Sequence, residues 1–347
     1  MISKSEKPWI NEIEKYIPGQ MKEGYVKLAS NENNYGTSPV VTKTISEKAT
    51  SIHIYPYKDP EVREKIAKYR KCSQKNIITG NGSDEIIDFI FKTFKGPSVG
   101  FYPTFSAYRI SSQVFNEKYN EIPLNPDFSF DSERFVNDER FRQSNLVFLC
   151  SPNNPTGGVI EGEDIKKILD EGKLTVVDEA YVEFTSKSCT ELVKDYDNLI
   201  VLRTFSKAFA LAGIRIGYAV SDEKLINLLS KVKPPFSVNL LAQETALSAL
   251  SDIEFMEKNL AKIIKDREIL VNKLSEKFRV FPTEANFILI DVSTVNLTAD
   301  EFFNKLFNEK IIVRKFGKFR GFEGEYVRIS VGTTEENERL IEVLDKI

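Results

Sequence analysis

The segment from Leu199 to Val220, LIVLRTFSKAFALAGIRIGYAV, constrains the fold of this chain more than any other. It begins and ends with short apolar runs that are typical of buried strands. Between them lies Lys207, with the hydroxyl residues Thr204 and Ser206 before it and Arg215 after it. A lysine amine can form a Schiff base with an aldehyde, and hydroxyls and a guanidinium can bind that compound's phosphate. The segment therefore predicts a site for a phosphorylated aldehyde; the alternative is a lysine in a surface loop.

Apolar runs and helical stretches alternate from residue 97 to residue 220. This alternation predicts an α/β domain in which a mostly parallel sheet is covered by helices. The runs that end at Cys150, Val177 and Leu202 are each followed by polar residues. Because ligands bind beyond the carboxyl ends of parallel strands, we expect these three loops to converge on one site.

The length of 347 residues predicts about two domains. The pattern breaks at residues 231–235, after which residues 240–278 predict one long helix, followed by short strands and helices. We expect residues 1–40 to form an N-terminal arm that is part of a small domain. Residues 41–235 would form the large domain, and residues 236–347 a smaller α+β domain.

Composition excludes several classes of function. The net charge of −3 gives no broad basic surface for nucleic acid, so any phosphate must be bound locally. The single histidine, His53, argues against a multi-histidine metal site, and Cys72, Cys150 and Cys189 lack the spacing of a disulfide or zinc framework. No run approaches the roughly 18 apolar residues of a membrane span, and the first residues lack a signal-peptide core. We expect a cytoplasmic protein with no metal and with neither a nucleic-acid nor a membrane partner.

Asp178 ends a wholly apolar strand, where a carboxylate needs a cationic or hydrogen-bonding partner. A protonated pyridine nitrogen would serve, and the pairing would keep that ring an electron sink. Tyr181 and Asn154 could then reach a phenolate oxygen on the ring, and Phe105 could stack on its face. The alternative for Asp178 is a helix cap after a strand.

Two loops near the N-terminus are open to more than one interpretation. The glycine-rich turn at residues 80–85 leads into a helix, whose start either binds an anion or is an ordinary N-cap. The segment 27–36 is rich in asparagine, and by itself we interpret it as a connector.

Seven segments, in order along nearly the whole chain, resemble the pyridoxal-phosphate aminotransferases of fold type I (class I/II), and more narrowly the histidinol-phosphate aminotransferase family. They are LASNEN at 28–33, TGNGSDE at 79–85, YPTF at 102–105, SPNNPTG at 151–157, VDEAY at 177–181, RTFSKAF at 203–209 and RISVGT at 328–333. Two stretches depart from the family pattern: Asn34 replaces a usual proline, and residues 315–325 match no pattern. Both departures bear on the choice of substrate.

The resemblance implies a role for each matching residue. Lys207 would hold pyridoxal 5′-phosphate as a Schiff base, with Asp178 on the pyridine nitrogen and Phe105 stacked on the ring. Tyr181 and Asn154 would contact the phenolate oxygen. The phosphate would be bound by Ser83, Asp84, Thr204, Ser206 and Arg215, and by Tyr55 from a partner subunit. The acidic group of the substrate would be bound by Arg328, with Arg314 and Tyr16 assisting when that group is a phosphate.

The implied reaction converts histidinol phosphate and 2-oxoglutarate to imidazole-acetol phosphate and glutamate, in a homodimer. Several alternatives share the same scaffold. The acceptor could be another small phosphorylated ketone or an aromatic compound, or the chain could be a lyase similar to threonine-phosphate decarboxylase. A non-catalytic cofactor-binding regulatory domain is a further alternative, although Lys207 is intact and no DNA-binding extension is present.

Overall fold

The structure is a computed structural model that describes residues 5–15 and 19–347. Its strands are β1 (Val26–Leu28), β2 (Ile77–Gly80), β3 (Ser98–Tyr102), β4 (Tyr119–Pro123), β5 (Leu146–Cys150), β6 (Leu174–Asp178), β7 (Leu199–Thr204), β8 (Gly217–Ser221), β9 (Arg279–Val280), β10 (Phe287–Asp291), β11 (Ile311–Gly317) and β12 (Tyr326–Ser330). Its α-helices are α1 (Pro39–Lys48), α2 (Asp59–Arg70), α3 (Ser83–Thr93), α4 (Ala107–Val114), α5 (Ser132–Asn137), α6 (Glu139–Arg142), α7 (Gly162–Asp170), α8 (Glu223–Ser230), α9 (Leu240–Ala249), α10 (Ile253–Ser275), α11 (Ala299–Asn308) and α12 (Thr334–Leu344).

The larger of two sheets has the strand order β2-β8-β7-β6-β5-β3-β4. Neighbouring strands from β7 to β4 are parallel, whereas β8 runs antiparallel to both β7 and β2. Every residue of β5 and β7 is buried, as expected for strands covered on both faces. Helix α3 buries Ile86, Phe89 and Ile90 in the same core, and helix α7 buries Ile165 and Ile168 there. The α/β prediction is confirmed.

The smaller sheet joins the two ends of the chain. Its strand order is β1-β11-β12-β10-β9, with β1 parallel to β11 and the other pairs antiparallel. We propose the division into residues 1–40, 41–235 and 236–347 for this chain, because β1 pairs with β11 of the C-terminal third while β2–β8 build the larger sheet.

The helix expected over residues 240–278 is two helices, so that prediction was wrong. Helix α9 ends at Ala249 and α10 begins at Ile253. The amides of Ser251 and Asp252 bond carbonyls three residues back, which closes a tight turn. The Asp252 carboxylate also accepts a hydrogen bond from Ser38, the residue that caps α1. Contact with α1 thus holds the turn. In the described parts of the chain no helix is both long and apolar enough to cross a membrane.

Candidate active site

A cavity of about 200 Å³ lies at the carboxyl ends of β5, β6 and β7. These ends are adjacent because Cys150 pairs with Asp178 and Asp178 pairs with Leu202 across the parallel strands. The convergence predicted from the three loops is therefore observed. The residues of the sequence prediction that line the cavity are Ser83, Asp84, Phe105, Asn154, Asp178, Tyr181, Thr204, Ser206, Lys207, Arg215, Arg314 and Arg328.

The amine of Lys207 lies between the large sheet and the N-terminal loop. Its Nζ donates to the backbone carbonyl of Ser30 at 3.2 Å and lies 5.5 Å from the centre of the Tyr181 ring. Burial disfavours the cation, and the positive charge of Arg328 adds to this effect, so the pKa of Lys207 falls to about 8. Much of the amine is thus neutral, and able to act as a base or nucleophile, at mildly alkaline pH.

Asp178 is the last residue of β6 and its side chain is 3% exposed. Its Oδ2 accepts a hydrogen bond from the Tyr108 hydroxyl at 2.7 Å, and its Oδ1 accepts one from the backbone N–H of Ala180 at 3.1 Å. Burial raises the pKa of Asp178 to about 6, although both hydrogen bonds oppose that rise. The carboxylate is therefore charged at neutral pH. Because Asp178 lines the cavity, its charge would favour a bound cation there.

Tyr181 is tied to the N-terminal loop. Its hydroxyl accepts a hydrogen bond from Nδ2 of Asn31 at 3.0 Å. Asn31 has a left-handed backbone, with φ 54°, and its backbone N–H donates to the Ser330 hydroxyl of β12 at 2.8 Å. Burial raises the pKa of Tyr181, so its hydroxyl stays protonated and can donate to a ligand oxygen.

The start of α3 forms a site suited to an anion. Its N-cap is Gly82, at φ 80°, and no side chain of the described residues caps the first turn, where Ser83 and Asp84 line the cavity. Free N–H groups and the positive end of the helix dipole face a ligand there. The positive φ of Gly82 disfavours any side chain there, and an added Cβ would lie 2.4 Å from Nη2 of Arg215, so that guanidinium would have to shift.

The backbone of β8 supports this helix start from behind. A Cβ at Gly217 would lie 2.5 Å from the backbone nitrogen of Ser83 and 2.7 Å from the carbonyl carbon of Gly82. Main chain therefore packs directly on main chain, which fixes the position of the anion site relative to β7 and Lys207.

Two arginines of the small sheet face each other in the cavity wall. Arg314 of β11 and Arg328 of β12 occupy directly opposed positions in the antiparallel pair. Arg328 is buried, and its guanidinium donates to the side-chain oxygen of Asn154 and, at 2.8 Å, to the carbonyl of Ala29. Like charges at opposed positions repel, so a bound anion would stabilise this arrangement.

A buried ion network lies directly behind the strand ends. Glu179 and Arg203, each 1% exposed, are joined at 2.7 Å. Arg203 also contacts Glu183 at 3.0 Å, and Glu183 contacts Arg70 at 2.6 Å. Glu179 follows Asp178 and Arg203 precedes Thr204, and successive side chains of a strand point to opposite faces. This network therefore lies on the side of the sheet edge away from the cavity.

Comparison with known proteins assigns the chain to a family. The model of the family "Aminotransferase class I and II" matches residues 23–344. This chain belongs to that family.

Individual members of the family are similar over nearly the full length. The histidinol-phosphate aminotransferase of Methanocaldococcus jannaschii is 39% identical, over 100% of this chain and 98% of that protein. The crystal structure of histidinol-phosphate aminotransferase from Clostridium acetobutylicum has a TM-score of 0.86 at 26% identity and covers 92% of this chain and 98% of that one. The enzyme of that name from Sinorhizobium meliloti, in complex with pyridoxal-5′-phosphate, has a TM-score of 0.84 at 23% identity, covering 98% and 97%; at this identity the likeness is one of fold.

Among the described residues of the predicted site, Tyr55 is the one that does not line the cavity in this aminotransferase-family chain. Tyr55 is 75% exposed and stacks on Phe236, with ring centroids 4.7 Å apart. Tyr16 lies outside the described residues. The role assigned to each stays a prediction.

Other residues in or beside the cavity wall were not assigned a role from the sequence. The loop at 29–31 lines the cavity, although the sequence pattern favoured a connector there. Its asparagines were a usable signal, because Asn tolerates the left-handed backbone seen at Asn31. Tyr108, which bonds Asp178, was also missed; it lies three residues after Phe105 and resembles an ordinary core residue of a helix.

The two departures from the family pattern lie beside the cavity and do not line it in the described structure. Asn34 donates to the Glu336 carboxylate at 2.7 Å and so ties the N-terminal loop to α12. In the segment 315–325, Phe316 lies under the guanidinium of Arg328 at 5.7 Å, and Phe319 stacks on Tyr326. This segment therefore packs against Arg328, one of the two arginines in the cavity wall.

Proposed function

We propose that this chain is a histidinol-phosphate aminotransferase, which transfers the amino group of histidinol phosphate to 2-oxoglutarate and yields imidazole-acetol phosphate and glutamate. Membership of the family establishes amino acids and keto acids as the substrate class. The opposed pair Arg314 and Arg328 in the cavity wall carries the specific proposal, because the pair suits a substrate that has an anionic group at its far end. The names of similar proteins point to the same substrate.

Pyridoxal 5′-phosphate is the cofactor, and the donor set of the cavity fits it. Its phosphate would be held by the uncapped start of α3, by the hydroxyls of Thr204 and Ser206, and by Arg215. Arg215 now contacts Asp84 at 3.0 Å in an exposed ion pair. Such pairs contribute only about 0–1 kcal/mol, so a phosphate could readily take over the guanidinium.

The remaining contacts would orient the ring. Asp178 would pair with the ring nitrogen, Tyr181 and Asn154 would donate to the phenolate oxygen, and Phe105 would cover one face. Bound pyridoxal phosphate supplies an electron sink for the negative charge that develops at the α-carbon of the substrate. Asp178 preserves that capacity because its buried negative charge favours the protonated ring nitrogen.

Lys207 has two tasks in this proposal. Its amine would hold the cofactor aldehyde covalently when no substrate is bound. When substrate is bound, the free amine would take the proton from the α-carbon of the substrate. A pKa of about 8 serves the second task, since a base works best with a pKa near the working pH.

Arg328 would bind the acidic group of either substrate, because a guanidinium fork matches both carboxylate and phosphate. Arg314 would add a second cation when that group is a phosphate. The same pocket would thus accept glutamate in one half-reaction and histidinol phosphate in the other. The role predicted for Tyr16 in phosphate binding belongs to this part of the proposal.

A half-reaction screen tests the proposed function. The holoenzyme is mixed separately with glutamate, histidinol phosphate, phenylalanine and threonine phosphate, and the cofactor absorbance is followed. We expect histidinol phosphate and glutamate to convert the cofactor to its amine form. Reaction with phenylalanine and not histidinol phosphate would identify an aromatic aminotransferase. Release of carbon dioxide from threonine phosphate, with no keto acid formed, would identify a lyase.

Arg314→Met is expected to raise KM for histidinol phosphate about 10- to 100-fold, because a charged hydrogen bond to phosphate contributes about 1.5–3 kcal/mol. The rise in KM for glutamate should be smaller. Steady-state kinetics with both substrates would measure the difference. Arg320→Met is a suitable control, since Arg320 is exposed, pairs with Glu121 and does not line the cavity. An equal rise for both substrates in Arg314→Met would contradict the role in phosphate binding.

We further propose that the enzyme is a homodimer in which Tyr55 contacts the cofactor phosphate of the partner subunit. Ile52, Tyr55, Tyr57 and Phe236 are large apolar residues that are all more than half exposed. Exposed apolar groups of this kind mark interaction surfaces. Tyr55 stacks on Phe236 of its own chain and is still 75% exposed, so its ring is accessible to a partner subunit.

Hybrid dimers test this arrangement. Lys207→Ala and Tyr55→Ala chains are each expected to be poorly active at limiting pyridoxal phosphate. When the two are unfolded together and refolded, a hybrid dimer would contain one site with both Lys207 and Tyr55, so activity should return. Sedimentation would check that both variants are dimers. Absence of recovery from mixed dimers would show that Tyr55 does not act across subunits.

A further inference from the structure

The buried side chain of Tyr108 donates a hydrogen bond from its phenol hydroxyl to Asp178. The residue lies in α4, directly after the loop that carries Phe105, and it is fully buried. Its hydroxyl donates to Oδ2 of Asp178 at 2.7 Å, while Oδ1 accepts from the backbone of Ala180. Both carboxylate oxygens are therefore held in fixed directions before any ligand binds.

The ring of Tyr108 has little freedom to move. It stacks on Phe148 of β5 with centroids 5.0 Å apart, and it meets Phe105 edge-on at 5.7 Å. Burial and the negative charge of Asp178 raise the pKa of Tyr108 well above its ordinary value, so its hydroxyl keeps its proton. The group is thus a permanent hydrogen-bond donor.

Apart from the backbone N–H of Ala180, the other groups that interact with Asp178 do not favour its charge. They are Asp84 from α3, Glu179 from its own loop, Cys150 from β5 and Tyr181. At neutral pH the carboxylates repel the charge of Asp178, and the buried thiol and phenol are neutral. Among the described side chains, the Tyr108 hydroxyl is the one that donates a hydrogen bond to Asp178.

We propose that Tyr108 is a positioning residue for the cofactor: its hydroxyl keeps Asp178 ionised and aims the carboxylate at the ring nitrogen of pyridoxal phosphate. This inference rests on the proposed function, because it assumes that the ring nitrogen meets Asp178. Tyr108 itself need not touch the cofactor. It acts through the charge and direction of the carboxylate.

Tyr119 offers a matched control. It lies at the start of β4, its ring meets the same Phe148 ring at 6.3 Å, and its buried hydroxyl has no hydrogen-bond partner among the described residues. Tyr108→Phe and Tyr119→Phe therefore each remove one buried hydroxyl from a ring that packs against Phe148. Only the first removes a hydrogen bond to Asp178.

The affinity of the two variants for pyridoxal phosphate, measured by absorbance titration from pH 5.5 to pH 8.5, tests the inference. Tyr108→Phe is expected to bind about 10-fold more weakly near pH 6.5, and the deficit should shrink towards pH 8.5. The sign follows because losing the hydrogen bond raises the pKa of Asp178, so its charge is lost at a higher pH as the solution is acidified. Tyr119→Phe should match the wild-type chain throughout.

A cofactor analogue with carbon in place of the ring nitrogen separates positioning from a general effect on folding. If Tyr108 acts through the contact of Asp178 with the nitrogen, Tyr108→Phe should bind this analogue as well as the wild-type chain does. Equal losses for analogue and cofactor, or equal behaviour of the two variants, would overturn the inference and leave the proposed function intact. A wild-type chain that binds no pyridoxal phosphate would instead overturn the proposed function, and the inference with it.

Discussion

Replacement of Lys207 by methionine is expected to abolish turnover and, at the same time, to stabilise the cofactor-free protein near neutral pH. Methionine is similar in length to lysine and carries no charge, so it fills the same space without an amine. Loss of a general base alone lowers a rate by roughly 10²- to 10⁴-fold. Because the covalent attachment of the cofactor is lost as well, we expect less than about 10⁻⁴ of the wild-type rate.

The gain in stability follows from the pKa of the buried amine. Burial lowers the pKa of Lys207 from 10.5 to about 8, so between these pH values the folded chain binds fewer protons than the unfolded chain. The free energy of unfolding therefore rises with pH through this window, and below pH 8 the folded state carries the full penalty of a buried cation. That penalty is about 3 kcal/mol, which Lys207→Met would relieve.

Urea unfolding of the cofactor-free protein at pH 7 and pH 10 would measure this effect. The variant should be more stable than the wild-type chain at pH 7, and its advantage should shrink at pH 10. Lys166→Met is the control, because Lys166 pairs with Glu163 on the surface and should change stability by no more than about 0.5 kcal/mol. A variant that is less stable at pH 7, or an advantage that does not depend on pH, would contradict the argument.

Glu179→Gln is expected to lower the free energy of unfolding by about 3–5 kcal/mol, since it leaves the guanidinium of Arg203 with a buried positive charge that is only partly compensated. Glu179 also accepts a hydrogen bond from the backbone N–H of Cys189 at 2.6 Å, so it ties the loop after β6 to residue 189. Loosening this loop should also weaken cofactor binding, because Asp178 and Tyr181 flank Glu179.

Denaturation midpoints of three variants would separate the contribution of the buried ion pair from that of an exposed one. Glu163→Gln removes one partner of an exposed ion pair and should cost less than about 1 kcal/mol. The double variant Glu179→Gln, Arg203→Met leaves Glu183 paired with Arg70 and should recover part of the loss, because no unpaired charge then stays buried. If Glu179→Gln were as mild as Glu163→Gln, the buried pair would not contribute to stability.

The part of the site built on the large sheet could be predicted from the sequence. The apolar runs that end at Cys150 and Val177, and the polar residues after them, are local signals, and parallel pairing brings them together. Lys207 and Arg215 lie in the short connection between β7 and β8, so their closeness to the strand ends also follows from local order. The resemblance to the aminotransferase family then implied a chemical role for each of these residues.

The part contributed by the N-terminal loop could not be predicted from local patterns. Asn31 reaches Tyr181 only because β1 pairs with β11, near the other end of the chain. A three-residue strand has too short a pattern to specify such a distant partner. Tyr108 was missed for another reason: an aromatic residue at helical spacing has the same pattern whether it packs a core or bonds a carboxylate.

The pairing of β1 with β11 also bears on the order in which the chain becomes active during synthesis. Strand β1 leaves the ribosome long before its partner β11 has been synthesised. The loop that follows β1 carries Ser30 and Asn31, so these residues reach Lys207 and Tyr181 only after that late pairing. A nascent chain that ends before β11 would already possess its reactive lysine, yet one wall of its pocket would be missing. Catalytic competence is therefore expected to arise only after β11 has been synthesised.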